Sequence, residues 1–154
     1  MDKKAIQQQL LSEIKKAIGE AEIAADNAHA AATDDESVAE TQYDTLAIES
    51  AYLAQGHSAR VDQLKVDLLA VKEMAIAESE FIETGALFSF ESSESSFYFI
   101  APAGAGITLT IDEYKVTVIT PNSPLAKALW DKEEGEDILL PPQFTKQDEI
   151  AKVL

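Results

Sequence analysis

The sequence predicts an α+β protein. Residues 1–78 read as an N-terminal antiparallel helical hairpin, a coiled coil, and residues 79–154 as a small antiparallel β domain with one helix. Three observations predict this. Apolar residues recur at steps of three and four between Ile6 and Ala77. After Glu78-Ser79-Glu80 the pattern changes to alternation. A start signal, Asn122-Ser123-Pro124, then opens one short helix inside the strand-like half.

In the first helix the seam is Ile6, Leu10, Ile14, Ala17, Ala21, Ala24, Ala28 and Ala31, with steps of 4, 4, 3, 4, 3, 4 and 3. Gln7, Gln8, Lys15, Lys16, Glu20 and Glu22 occupy the opposite face, and no proline interrupts the run. From Lys3 to Ala32 such a helix is roughly 45 Å long. Its seam turns to alanine toward Ala31, which lets a partner helix approach closely. Thr33-Asp34-Asp35-Glu36-Ser37 is the expected turn. Thr33 to Glu36 and Ser37 to Glu40 both have the form of a capping box, so either Thr33 or Ser37 can start the second helix. Capping by itself is one account of Asp34, Asp35 and Glu36, because acids in a first turn are favoured by the helix dipole. The return seam is Leu46, Leu53, His57, Val61, Leu64, Leu68, Val71 and Ala75. Glu40 and Asp44 stand one turn apart as exposed acids. His57 reads as a seam or surface residue, and Arg60 as a solvated or hairpin-bridging charge.

In the second half, residues 86–90 and 97–100 form a hairpin pattern, and 107–111 and 115–119 are two further strands. A short helix follows from Leu125 to Trp130, then a strand at Ile138-Leu139-Leu140 stopped by Pro141-Pro142. Residues 144–154 fit either a strand or a helix. Trp130 and the phenylalanines read as core. The glycines of residues 101–106 lack the spacing and the following helix of a dinucleotide fingerprint.

Composition limits the function. Acids outnumber bases 28 to 12, a net charge of −16. That argues against autonomous binding to DNA or RNA, which needs a basic face, and permits docking on a basic partner. The chain has no cysteine, so disulfides and cysteine-type zinc sites are excluded. No Ser-His-Asp or Cys-His pattern appears, and no stretch has the length of a membrane span. A cytoplasmic protein, bacterial in style and with no catalysis of its own, is the expectation.

The segment Thr120-Pro121-Asn122-Ser123-Pro124-Leu125-Ala126-Lys127-Ala128-Leu129-Trp130-Asp131-Lys132-Glu133-Glu134-Gly135-Glu136-Asp137 resembles the C-terminal signature of the bacterial Gre transcript-cleavage factors. A serine-proline opens a helix with an alanine-basic-alanine-leucine core, followed by lysine, acids, glycine and aspartate. The layout of the whole chain agrees. The resemblance implies an FKBP-like second domain that docks on RNA polymerase, here through Ser123, Pro124, Leu125, Lys127 and Trp130. It implies that the coiled coil enters the secondary channel and presents tip acids to the polymerase active site. The candidates are Asp34, Asp35, Glu36, Glu40 and Asp44. Glu36 and Glu40 would contact Mg²⁺ only in trans, within the polymerase, and no cofactor is bound by the chain alone. Hard oxygen ligands suit that ion.

The family's tip has an aspartate, two spacers, glutamate and asparagine, with a tyrosine soon after. Glu40-Thr41-Gln42-Tyr43 matches the later part, and Ser37 stands where the aspartate belongs. Between Lys16 and Arg60 there is no lysine or arginine, where the family's cleavage factors carry a basic patch toward RNA. The chain therefore resembles a divergent Gre-like member, a monomer whose contact with nascent RNA is indirect. It would either stimulate cleavage of backtracked RNA or occupy the channel without cutting. A coiled-coil adaptor unrelated to polymerase is the second reading. A prolyl isomerase, suggested by the second domain alone, is the third.

Overall fold

Helix α1 spans Lys3–Thr33 and helix α2 spans Tyr43–Glu73. The structure, a computed structural model, describes residues 1–33, 43–93, 95–139 and 148–154, with side chains in α2 described from Ile48 onward. The chain forms two compact units. One is Ile14–Leu68, and the other joins Met1–Glu13 to Leu69–Leu154.

In the unit Ile14–Leu68 the two helices run antiparallel. Lys65 Nζ lies 2.9 Å from Glu22 Oε1, and a groove is lined by Glu22 and Asp26 on one side and by Ser58 and Asp62 on the other. The ion pair is exposed, so its contribution is small. Burial of Ile14, Ile18, Ala54, Val61 and Leu64 holds the pair together. Several sequence expectations change here. Ile18 is the buried neighbour of half-buried Ala17, and Ala54 replaces Leu53, which is exposed. The observed α2 seam (Ser50, Ala54, His57, Val61, Leu64, Leu68, Val71) keeps strict steps of four and three. Leu53 falls outside that stripe however apolar it is. Ala31 and Ala75 are likewise exposed. Thr33 is not the N-cap of α2. It is the last residue of α1, and its hydroxyl donates to the His29 carbonyl at 3.0 Å, the back-bond open to a threonine inside a helix.

The other unit contains a six-stranded sheet. Its strands are β1 (Leu87–Phe90), β2 (Ser96–Ile100), β3 (Thr108–Ile111), β4 (Tyr114–Ile119), β5 (Asp137–Ile138) and β6 (Asp148–Val153), in the order β3-β4-β2-β1-β6-β5. The expected hairpin of β1 and β2 is present, with Phe88 opposite Tyr98. Strands β3 and β4, expected only as two further strands, also pair antiparallel. The sheet is nevertheless mixed and not wholly antiparallel, because β2 and β4 pair in parallel from Ser96↔Lys115 to Ile100↔Ile119. After β2 the chain loops over, returns as β3, and turns at Asp112 to place β4 between β3 and β2. Residues 148–153 resolve the ambiguity of the final segment as a strand, paired antiparallel with β1.

Strand β1 is buried along its whole length because it lies between two neighbours and both its faces are covered. Phe88 and Phe90 point to one face, where they meet Ile100, Ile150 and helix α3 (Pro124–Leu129) through Leu125 and Leu129. Phe88 and Tyr98 stack with centroids 5.5 Å apart. Leu87, Phe97, Phe99, Val116 and Val118 are buried from the other face. The loop after β2 meets α1 at Gly104. Its φ of 86° and the 2.8 Å from an added Cβ to Leu10 Cδ1 leave room for glycine alone.

The N-terminal turn of α1 is tied in by Lys3. Its ammonium donates to the main-chain carbonyls of Ala77, Gly85 (3.1 Å) and Leu154 (2.8 Å). Three donors meet three acceptors, which is what makes a buried lysine tolerable. Gln7 Nε2 donates beside it to the Val71 carbonyl at 2.8 Å.

Two outcomes follow for urea unfolding monitored by circular dichroism. Ile18→Ala destabilises by about 2–4 kcal/mol, because it leaves a cavity in the seam, whereas Leu53→Ala changes stability by less than about 0.5 kcal/mol. Lys3→Met keeps the alkyl stem and removes the hydrogen bonds to Ala77, Gly85 and Leu154, so it loses about 1–3 kcal/mol.

Candidate partner-docking site

The segment from Thr120 to Asp137 folds as a capped helix followed by a clamped turn. Ser123 Oγ accepts from Ala126 N at 3.1 Å, and Pro124 takes the first helical position, where no amide hydrogen is needed. The helix ends at Trp130, and Asp131 adopts a φ of 63°. Lys132 Nζ then pairs with Glu136 Oε2 at 2.5 Å, while Glu136 Oε1 accepts from Glu133 N at 3.1 Å. The Lys132 contact and the Glu133 amide hold the Glu136 carboxyl below its ordinary value of 4.5. Gly135, at a φ of 85°, donates to the Ile150 carbonyl at 2.8 Å and joins this turn to β6.

This arrangement divides the expected docking residues. Pro124, Lys127 and Trp130 are exposed, Trp130 by 41%. Trp130 is therefore not core. Leu125 is 3% exposed and packs among Phe88, Phe90 and Leu129. It positions the helix and presents no surface to a partner. Ser123 is half-buried and occupied by its cap.

Phe81 is exposed, against the reading of the phenylalanines as core. It pairs with Glu133 across a short β-bridge, and Ile82 N donates to the Lys132 carbonyl at 2.8 Å. The bridged residues lie 52 positions apart, so only the isolated aromatic among Glu78, Glu80 and Glu83 could have marked it.

Of the acids expected at the tip, Asp34, Asp35, Glu36 and Glu40 lie outside the described residues. Asp44 lies within α2, with its side chain outside the description. Among the described residues no group of three or more His, Asp or Glu side chains is arranged to hold a metal ion. No described helix is long and apolar enough to cross a membrane.

The fold and the site define an α+β protein of two units: a paired-helix unit and a mixed-sheet unit carrying an exposed helical face. The solved structure titled GreA factor homolog 1 (Gfh1) of Thermus thermophilus is similar to it at 20% identity, covering 97% of this chain and 93% of that one with a TM-score of 0.37. A second structure, titled as the transcription factor Gfh1, is similar at 22% identity, covering 97% of this chain and 91% of that one with a TM-score of 0.38. No protein-family model matches the chain, and no curated protein is significantly similar to it.

The electrostatics of the turn are testable by NMR titration. Glu136 titrates with a midpoint below 4.5, and Lys132→Met moves that midpoint upward. A carboxylate with a depressed folded-state pKa stabilises above its unfolded value. The contribution of Glu136 is therefore complete above about pH 4.5 and is lost as pH falls through its lower folded midpoint.

Proposed function

We propose that this protein is a Gre-like transcription factor that binds RNA polymerase, places its helical hairpin in the secondary channel and modulates the polymerase active site. The observation that carries this reading is the Thr120–Asp137 motif, with its resemblance to the Gre signature, on a chain whose first half is a long antiparallel helix pair. The motif also has a physical rationale as a docking element. Its apolar positions hold α3 on the sheet, and its cap and clamp leave Pro124, Lys127 and Trp130 outward.

In this reading Glu36 and Glu40 supply oxygen ligands to the second Mg²⁺ of the polymerase, while Asp34, Asp35 and Asp44 add negative potential around it. Mg²⁺ bound there would act as a Lewis acid toward the RNA phosphate. Carboxylates are the ligand chemistry this ion prefers. The chain is an accessory to the polymerase and not itself an enzyme. The acidity of residues 17–59, which include no lysine or arginine, favours entry into a positively charged channel.

A second form of the same function is favoured by Ser37, which stands where the family has an aspartate. With one ligand missing, the hairpin would occupy the channel without promoting cleavage.

The test is RNA cleavage in a stalled, backtracked elongation complex, with binding to core polymerase measured in the same samples. The expected result is binding, with cleavage that falls about tenfold or more in Asp35→Ala/Glu36→Ala/Glu40→Ala while binding persists. Binding without cleavage in the unaltered protein selects the channel-occupying form. Absence of binding overturns the function and favours the adaptor reading.

A further inference from the structure

The sheet has two edges, and they are built differently. At one side it ends on β5, only Asp137 and Ile138 long and close to the acids Glu134 and Glu136. Shortness and charge are common means of keeping an edge from pairing. At the other side it ends on β3, Thr108-Leu109-Thr110-Ile111, which carries no charge and no proline. The uncharged stretch is longer than the strand. It runs from Ser95 to Ile111 in a chain whose net charge is −16.

Register fixes which groups this edge presents. Val118 N donates to the Ile107 carbonyl at 2.8 Å, so that carbonyl faces β4. Main-chain groups of successive residues alternate in direction. Leu109 and Ile111 therefore also bond toward β4, opposite Val116 and Tyr114. The amides and carbonyls of Thr108 and Thr110 point away from the sheet. Their side chains are exposed, and a Cβ built on nearby Gly106 meets nothing within 4 Å. Among the described residues, the space beside this edge is open.

We propose that β3 pairs with β3 of a second copy of this chain, antiparallel about a two-fold axis at Leu109. In this register Thr108 of each chain faces Thr110 of the other, and each pair exchanges main-chain hydrogen bonds. Cross-strand threonine pairs are themselves favourable. Ile107 falls opposite Ile111, and both are half-buried within one chain. The turn acids Asp112 and Glu113 fall opposite Gly106 and Ala105, so they meet no acid. The edge is thus complementary to itself, which selects a second copy over an unrelated extended peptide. A contact this short belongs to the weak end of protein interfaces. The monomer expected from the sequence is then the dilute form. This inference is independent of the function proposed above.

The test is sedimentation equilibrium of the full-length protein from about 10 µM to about 1 mM. A concentration-dependent dimer is expected. Its dissociation constant is expected to fall several-fold from low to high salt, because screening weakens the repulsion between two chains of charge −16. Thr110→Pro removes an outward amide and none that faces β4. It is expected to weaken the dimer about tenfold or more, with unchanged helicity and urea midpoint establishing that it is folded. The chain has no cysteine, so the register is read separately with Thr108→Cys and Thr110→Cys. Under mild oxidation a mixture of the two variants is expected to form disulfide-linked dimers faster than either variant alone. Positions 108 and 110 face each other across the axis, within disulfide reach, and each lies farther from its own copy.

A monomer at every concentration and salt overturns the inference. So does a dimer that folded Thr110→Pro leaves intact, which places the contact elsewhere on the surface. Cross-linking no faster in the mixture than in the single variants overturns the pairing of β3 with β3. If Thr110→Pro does not fold, the cysteine variants decide alone.

Discussion

A buried ammonium surrounded by main-chain carbonyls organises the sheet-containing unit. Lys3 reaches the segment after α2 at Ala77, the approach to β1 at Gly85 and the end of β6 at Leu154. Burial lowers the ammonium from its ordinary value of 10.5, while Glu78 and Glu83 act against that shift. One cation thereby ties together groups contributed by three separate parts of the chain. Gln7 and Leu10 extend the same attachment along α1, one by hydrogen bonds to α2 and the other by filling the space that Gly104 leaves open.

The Thr120–Asp137 segment shows how a signature motif combines structural and exposed positions. Ser123, Leu125, Leu129 and Gly135 are accounted for by cap, core and turn geometry. Such positions are constrained by packing whatever the chain binds. Pro124, Lys127 and Trp130 are exposed and carry the part of the motif available to a partner. Trp130 leaves the core because the helix ends there and Asp131 reverses the backbone. Its indole therefore cannot follow Leu125 and Leu129 inward.

The helix pair was legible in outline and misread in detail, for different reasons in the two helices. A search for apolar residues at helical spacing selects the larger of two neighbours, whereas a closely packed seam admits the smaller. Leu53 gave way to Ala54 on that account, since strict alternation of four and three steps through His57 and Val61 requires position 54. In α1 the reverse occurred. Ile18 is buried beside half-buried Ala17, so the fully buried stripe runs through Ile6, Leu10, Ile14 and Ile18. Ala75 is exposed because α2 ends at Glu73, before that position.

The sequence by itself determined what local periodicity can specify: two long helices, the alternation of β1 to β4, and a proline-started helix at Ser123. It also determined the acid excess of 28 to 12. Only the tertiary structure decided that β2 and β4 pair in parallel, that residues 148–153 form a strand against β1, and that Lys3 is buried. The physical reason is range. Alternation tells a strand which side chains share a face but not which strand lies beside it. A lysine reads as solvated until its acceptors are known, and those of Lys3 lie 74, 82 and 151 residues away.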